Sequence, residues 1–394
     1  MRDDHSIRYR QEMNKRRKRK AKRRVLIIIL IVIFGLLLTI GIKLIAGHKE
    51  KRSENGNDSD SFVIENSHEN GTENEQTKPE EVTLDAGISE PVTLTFTGDI
   101  ILGKHINADY DSSMLGKMDE VQDYGYFLQN FRDLFASDDA TIIDMEGCLT
   151  ESDDAVEKEF NFKAPFDYVN ILLQGNVDAA TMANNHSHDY GPEGFSDTEE
   201  TLENNGIKTF GYDKVNYLEL KGNKIGLIGA YFLRETDDET QTMLNCIQEA
   251  KDNGANIIIV FAHWGIELEY VPGSWQIYNG RLAIDNGADL VVGCHPHVLQ
   301  GYEEYNGHYI VYSFGNFCFG GNRNPYDKDA YIIQWTANKE NGELTTNELN
   351  VIPVSVSSHS DYNDYCPRIL EGEELQNVWD KINESNAAIE SIGQ

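Results

Sequence analysis

The sequence lacks a cysteine framework. Its 394 residues hold five cysteines, Cys148, Cys246, Cys294, Cys318 and Cys366, widely spaced and odd in number, with no CxxC pair. A disulfide scaffold and a structural zinc cluster are both excluded as organising devices. Basic residues are scarce outside the first 24 positions, where twelve Lys and Arg face three acids. That segment is +9 and leaves −41 for residues 25–394, against −32 for the whole chain. So acidic a body excludes nucleic acid as a partner, because affinity for nucleic acid comes mainly from neutralising phosphates. No GxSxG elbow is present, which sets aside a serine hydrolase, and no internal repeat is found.

Long apolar runs are also missing, with one exception. Residues 25–46 are apolar except for Thr39, Lys43 and the glycines, and as a helix they would reach ~33 Å, enough to cross a bilayer. The run exceeds the core of a signal peptide, and no small-x-small cleavage site follows it. The expectation is an uncleaved single-pass anchor at the cell membrane. Its basic flank, residues 1–24, would lie in the cytoplasm against anionic membrane lipid, and the main domain would lie outside the cell. Residues 47–90, rich in Glu, Asn, Ser, Asp and Gly, read as a disordered acidic stalk.

From residue 91 the pattern becomes short β-rich apolar runs alternating with helical stretches, the mark of an α/β domain. Strands are expected at residues 92–97, 140–144, 179–182, 225–228, 256–262 and 290–292. Helices are expected near 126–135, 168–173, 194–204, 241–253 and 277–286. Residues 298–354 read as a β-meander turned by Asn-Gly pairs at 306–307 and 341–342. The domain would span 91–370. A packing helix would follow in 371–394, where Leu375, Val378, Trp379 and Ile382 recur at helical spacing.

Most of these strands run straight into polar residues, and ligands in α/β sheets collect beyond the carboxyl ends of strands. Asp99 follows the first strand and offers a hard oxygen donor. Asp144 and Glu146, two apart on extended chain, point the same way, so a cation or a basic group must offset their repulsion. Asn184, Asn185, His186, His188 and Asp189 place amide, imidazole and carboxylate within six residues. His263 ends the most apolar strand, and His295 and His297 flank Pro296 just past another. Five of the eleven histidines fall in these clusters.

In this order, from about Leu94 to Phe319, the clusters resemble the CapA family of poly-γ-glutamate capsule synthesis proteins. The resemblance rests on Gly98-Asp99, Glu146-Gly147, Asn184-Asn185-His186 with Asp189, His263-Trp264-Gly265 with Glu267, and His295-Pro296-His297, together with Gly315-Asn316-Phe317. It implies a layered metallophosphoesterase-like β-sandwich flanked by helices, holding one or two divalent metal ions of the Mn, Zn or Fe type. On that resemblance Asp99 and His297 would hold a first ion, Glu146 would bridge, and Asn185, His263 and His295 would hold a second. The catalytic group would be His186, facing the reacting phosphate, with His188 and Asp189 beside it. The chain departs from the phosphoesterase pattern at Ile101, where that pattern has a histidine. Two functions follow from the resemblance. One is a membrane-anchored, extracellular capsule synthesis and export protein with a metal-dependent hydrolase site. The other is a non-catalytic polymer-binding or assembly subunit of a membrane synthase. Membrane-embedded synthase subunits, and an anionic polymer, would be the partners.

Overall fold

Alternating side chains along the central strands decide how the layers stack. In the computed structural model, which describes residues 89–234 and 237–392, the strand Ile257–Trp264 is buried throughout. Its odd positions Ile257, Ile259 and Phe261 join Leu94, Phe96 and Ile142 in one core. Its even positions Ile258, Val260 and Ala262 pack on Met243, Ile247 and Ile284, from the helices Asp237–Asp252 and Ser274–Asp285. Two sheets therefore face each other across the first core, with helices on the outer face of each, in a mixed α/β sandwich. The described residues belong to one unit, Val82–Gln394. The basic tail, the apolar run at 25–46 and nearly all of the stalk lie outside them. Among the described residues no helix is long and apolar enough to cross a membrane.

The first sheet centres on Val92–Ile101 and Ala140–Glu146, which run parallel and are followed by Ala179–Thr181 and Lys208–Phe210. The second has Asn223–Phe232, Ile257–Trp264 and Leu290–Cys294 in parallel at its middle. All six strands expected from sequence are present, most of them longer than expected. The expected helix at 126–135 is instead a 3₁₀ turn, Tyr124–Leu128, and a short helix, Arg132–Phe135. Between them Asn130 donates to Pro367 O at 2.9 Å. The single meander is corrected too. Each Asn-Gly pair does turn a hairpin, with all four residues at positive φ. The hairpins belong to different sheets, however: Tyr302–Tyr305 with His308–Val311 in the second, Asp329–Glu340 with Glu343–Ser355 in the first. The C-terminal helix, Gly372–Ile392, buries Val378 and Ile382 as its spacing predicted.

One irregularity aims the first carboxylate. Leu94 and Phe96 face the inter-sheet core, yet Ile100 faces the helix side, because the pairing with Ala140–Glu146 shifts register between Phe96 and Asp99. A bulge of this kind re-aims the side chains beyond it, and it turns Asp99 toward the second sheet. Gly98 makes it fit: a β-carbon there would collide with the Gly315 carbonyl and lie 3.2 Å from Phe314 Cβ. The same carbonyl accepts from the Asp99 amide at 3.2 Å. Gly98→Ala should therefore cost about 1–3 kcal/mol of stability and lower metal uptake with it. Paired thermal melts and metal analysis check this, and an unshifted melt would show the backbone yields freely.

Candidate metal centre

The strand ends converge where the two sheets open. Asp99 pairs in register with Asp144 and Ile101 with Glu146, so Asp99, Asp144 and Glu146 come from neighbouring strands, all fully buried. From the facing sheet comes His263, in register with Cys294; His295 and His297 follow. The ring centroids of His263 and His295 are 4.8 Å apart, and those of His295 and His297 5.8 Å. Both His295 (φ 98°) and His297 (φ 56°) occupy the left-handed region, a strain of order 1–3 kcal/mol each that collects at functional sites. Leu268, also left-handed at φ 64°, donates its amide to Pro296 O at 2.8 Å and ties the Glu267 loop to this turn.

His263 is held from behind. Its Nδ1 lies 2.6 Å from Asp144 Oδ2, and Asp144 Oδ1 accepts from Asn184 Nδ2 at 2.8 Å. A carboxylate at Nδ1 assigns the proton to that nitrogen and turns the Nε2 lone pair forward, as it does for metal-binding imidazoles. Asn185 Oδ1 is 2.7 Å from that Nε2 and Glu146 Oε1 is 3.6 Å from it.

Burial pulls His263 down to about 3 and His295 to about 2, so both imidazoles are neutral near pH 7. Burial, and then the charge of Asp99, pushes the Asp144 and Glu146 carboxyls well above the ordinary range. At Asp99 burial acts upward too, but His297 first, with His263 and His295, outweighs it and the net shift is downward. Asp99 in turn outweighs burial at His297 and raises it.

These residues fit a divalent cation. Both carboxylate oxygens of Glu146 and Nδ1 of His295 are buried without a hydrogen-bond partner, an arrangement too costly to persist unless something else satisfies it. Donor atoms of Asp99, Glu146 and His263 lie within 4.8 Å of one another, as do those of Glu267, His295 and His297. Asp99 Oδ2 lies 3.1 Å from His297 Nδ1, the pair expected at a first ion, and exposed Glu267 adds a carboxylate beside His295 and His297. Carboxylate with imidazole suits a borderline divalent metal of the Mn, Fe or Zn kind.

His186 stands beside this centre. Its Nδ1 is 2.9 Å from Asp189 Oδ2, which also accepts from Phe162 N at 2.6 Å. Lys158, which sequence reasoning passed over, ion-pairs with Asp189, donates to Asn185 O at 2.8 Å and lies 3.1 Å from His186 Nδ1. It occupies an acidic coil between short strands, where no periodicity marks it. His186 lines a cavity of 390 Å³ together with Glu267, His297 and Asn316. His188 does not line it; its ring stacks on Phe195 at 4.4 Å, with Tyr212 at 5.7 Å. Asn184 and Asn316 are further polar contributors: Asn316 Oδ1 is 2.9 Å from His297 Nδ1.

Fold and site together define a layered α/β sandwich with an acid- and imidazole-lined centre at its parallel strand ends. Residues 93–321 match the family described as bacterial capsule synthesis protein PGA_cap, and the chain belongs to that family. It is 29% identical over 289 residues to the PGA biosynthesis protein CapA of Bacillus subtilis, covering 67% of this chain and 72% of that protein. Against the capsule biosynthesis protein CapA of Bacillus anthracis the identity is 27% over 304 residues, covering 69% of each. Among solved structures, the calcineurin-like phosphoesterase YfkN of Bacillus subtilis matches at a TM-score of 0.41 and 16% identity, over 78% of this chain and 100% of that one.

Proposed function

We propose that this chain serves capsule polymer synthesis or export as a cation-dependent hydrolase of the phosphoester type, held outside the cell on its N-terminal apolar segment beside membrane-embedded synthase subunits. The observation that carries this reading is Glu146, buried with both oxygens unpartnered among Asp99, Asp144 and His263. Asp99, Glu146, Asn185 and His263 would hold one ion, and His295 and His297 with Glu267 a second position. A divalent ion there supplies Lewis-acid polarisation of a phosphoryl oxygen and a lowered pKa for water.

The chain's own groups do the rest. Asp144 fixes the His263 tautomer. Asp189 accepts from His186 Nδ1 and leaves Nε2 as the atom that takes or returns a proton at the cavity. Burial is the largest influence on His186 and lowers its pKa, so the imidazole is neutral near pH 7 and suited to accept. Phe162 closes one side of it, with ring centroids 4.7 Å apart, and limits water.

A second reading, a non-catalytic polymer-binding or assembly subunit, draws on Ile101, which stands where the phosphoesterase pattern has a histidine. A panel of phosphomonoesters, phosphodiesters and γ-glutamyl peptides, assayed with Mn²⁺, Zn²⁺ and Fe²⁺, separates the two. The hydrolase reading expects ion-dependent turnover of a phosphoester. Silence across the panel, with polymer production in cells unaffected by His186→Ala, would leave the subunit reading in its place.

A further inference from the structure

Ile101 leaves no gap. It is 1% exposed and packs with Phe162 and Phe319 in a small apolar cluster separate from the three main cores. That cluster forms part of the wall of the 390 Å³ cavity, whose other apolar lining includes Phe160, Leu268 and Tyr326. The wall begins at the reacting groups: Phe162 lies against His186, and Phe319 against His297 with centroids 5.5 Å apart. Phe160 is 49% exposed, Leu268 46% and Tyr326 76%. Folding leaves these large apolar groups facing water around a concave site, which is how ligand pockets are built. No lysine or arginine lines the cavity among the described residues. A chain of carboxylates would find no lysine or arginine along this wall to pair with.

We infer that the substrate is a phosphoester whose alcohol group is apolar and of small-molecule size. The phosphoryl group sits at the acid and imidazole centre, and the alkyl or aryl group lies against Ile101, Phe162, Phe319 and Phe160. This rests on the phosphoesterase reading and gives it a substrate class. The residue that departs from the phosphoesterase pattern, Ile101, thereby becomes a specificity-determining one.

The test uses the full chain loaded with Mn²⁺ and a series of non-hydrolysable phosphonates, methyl, butyl, hexyl and phenyl, with inorganic phosphate as the polar reference. Affinity by calorimetry should climb about fourfold per methylene, the transfer free energy of one buried CH₂, until the cavity fills, with phenylphosphonate well above methyl. Phe160→Ser and Tyr326→Ser, both at exposed positions, should flatten the series while metal content stays as in the wild type. A flat series in the wild type, with phosphate and all four phosphonates bound alike, overturns the substrate class and leaves the phosphoester reading standing. Failure of every member to bind, phosphate included, overturns the phosphoester reading and this inference with it.

Discussion

His186→Ala is expected to lower phosphoester turnover by about 10²–10⁴, the range for loss of a general acid or base, while bound metal and melting temperature stay close to wild type. The fold should survive because Asp189, the group His186 contacts, keeps the Phe162 amide and Lys158 as partners. The pH profile gives a second readout. Lys158 is among the influences that lower the His186 pKa, so Lys158→Met should raise it. If neutral His186 accepts the proton, the limb on which activity falls toward acid should then move to higher pH. Steady-state rates from pH 5 to 9 on the wild type and both variants check this. A His186→Ala enzyme of undiminished turnover, confirmed as folded, would remove the residue from the chemistry.

Removing the ion should destabilise the domain from two directions. An ion that binds only the folded state contributes about 4 kcal/mol when its free concentration is 1,000 times Kd, roughly 10 °C in melting temperature for a domain of this size. In the ion-free domain Glu146 has a raised folded pKa. Its contribution is therefore fully present below its ordinary 4.5 and is lost as pH rises through the raised value. His263 and His295 act oppositely: depressed from 6.5 to about 3 and about 2, they contribute fully above 6.5 and lose that contribution as pH falls. With chelator present, stability should peak on the mildly acidic side of neutrality and fall toward alkaline pH, and added metal should abolish the alkaline loss. Glu146→Gln removes the unpartnered charge. It should stabilise the ion-free domain at pH above the raised Glu146 value, where the carboxylate is charged, by about 1–3 kcal/mol while weakening metal binding. Melting curves from pH 5 to 8.5 with and without chelator measure both effects. An ion-free Glu146→Gln domain no more stable than ion-free wild type would mean that the carboxylate is satisfied in some other way.

The convergence of acid and imidazole side chains was legible because these residues obey strand periodicity and sit at strand ends. Asp144 and Glu146, two residues apart, do share a side, and both face the space between the sheets. Their surroundings differ, though, and sequence could not show it: Asp144 steadies His263 from behind, and Glu146 is left without a hydrogen-bond partner. The grouping of Glu267 with His295 and His297 was also hidden, since it depends on left-handed backbone at positions 268, 295 and 297. Lys158 was invisible for another reason: a lone cation in acidic coil acquires a role only when the chain folds back over Asp189. The small sheet of Lys104–His105, Cys148–Leu149 and Phe162–Ala164 has strands too short to show alternation. It is this sheet that brings Phe162 against His186. The Asn-Gly turns were plain locally, but which sheet each hairpin joined was settled by tertiary pairing.

Metal analysis of the full chain, purified without chelator and exchanged into metal-depleted buffer, tests the convergence of these strand ends most directly. The wild type should retain at least one equivalent of Mn, Zn or Fe per chain. His263→Ala and Glu146→Gln should each retain less, and His186→Ala the same as the wild type. A folded wild type that neither retains a divalent ion nor takes one up from added Mn²⁺, Zn²⁺ or Fe²⁺ would contradict the assignment of Asp99, Glu146, Asn185, His263, His295 and His297 as a metal centre.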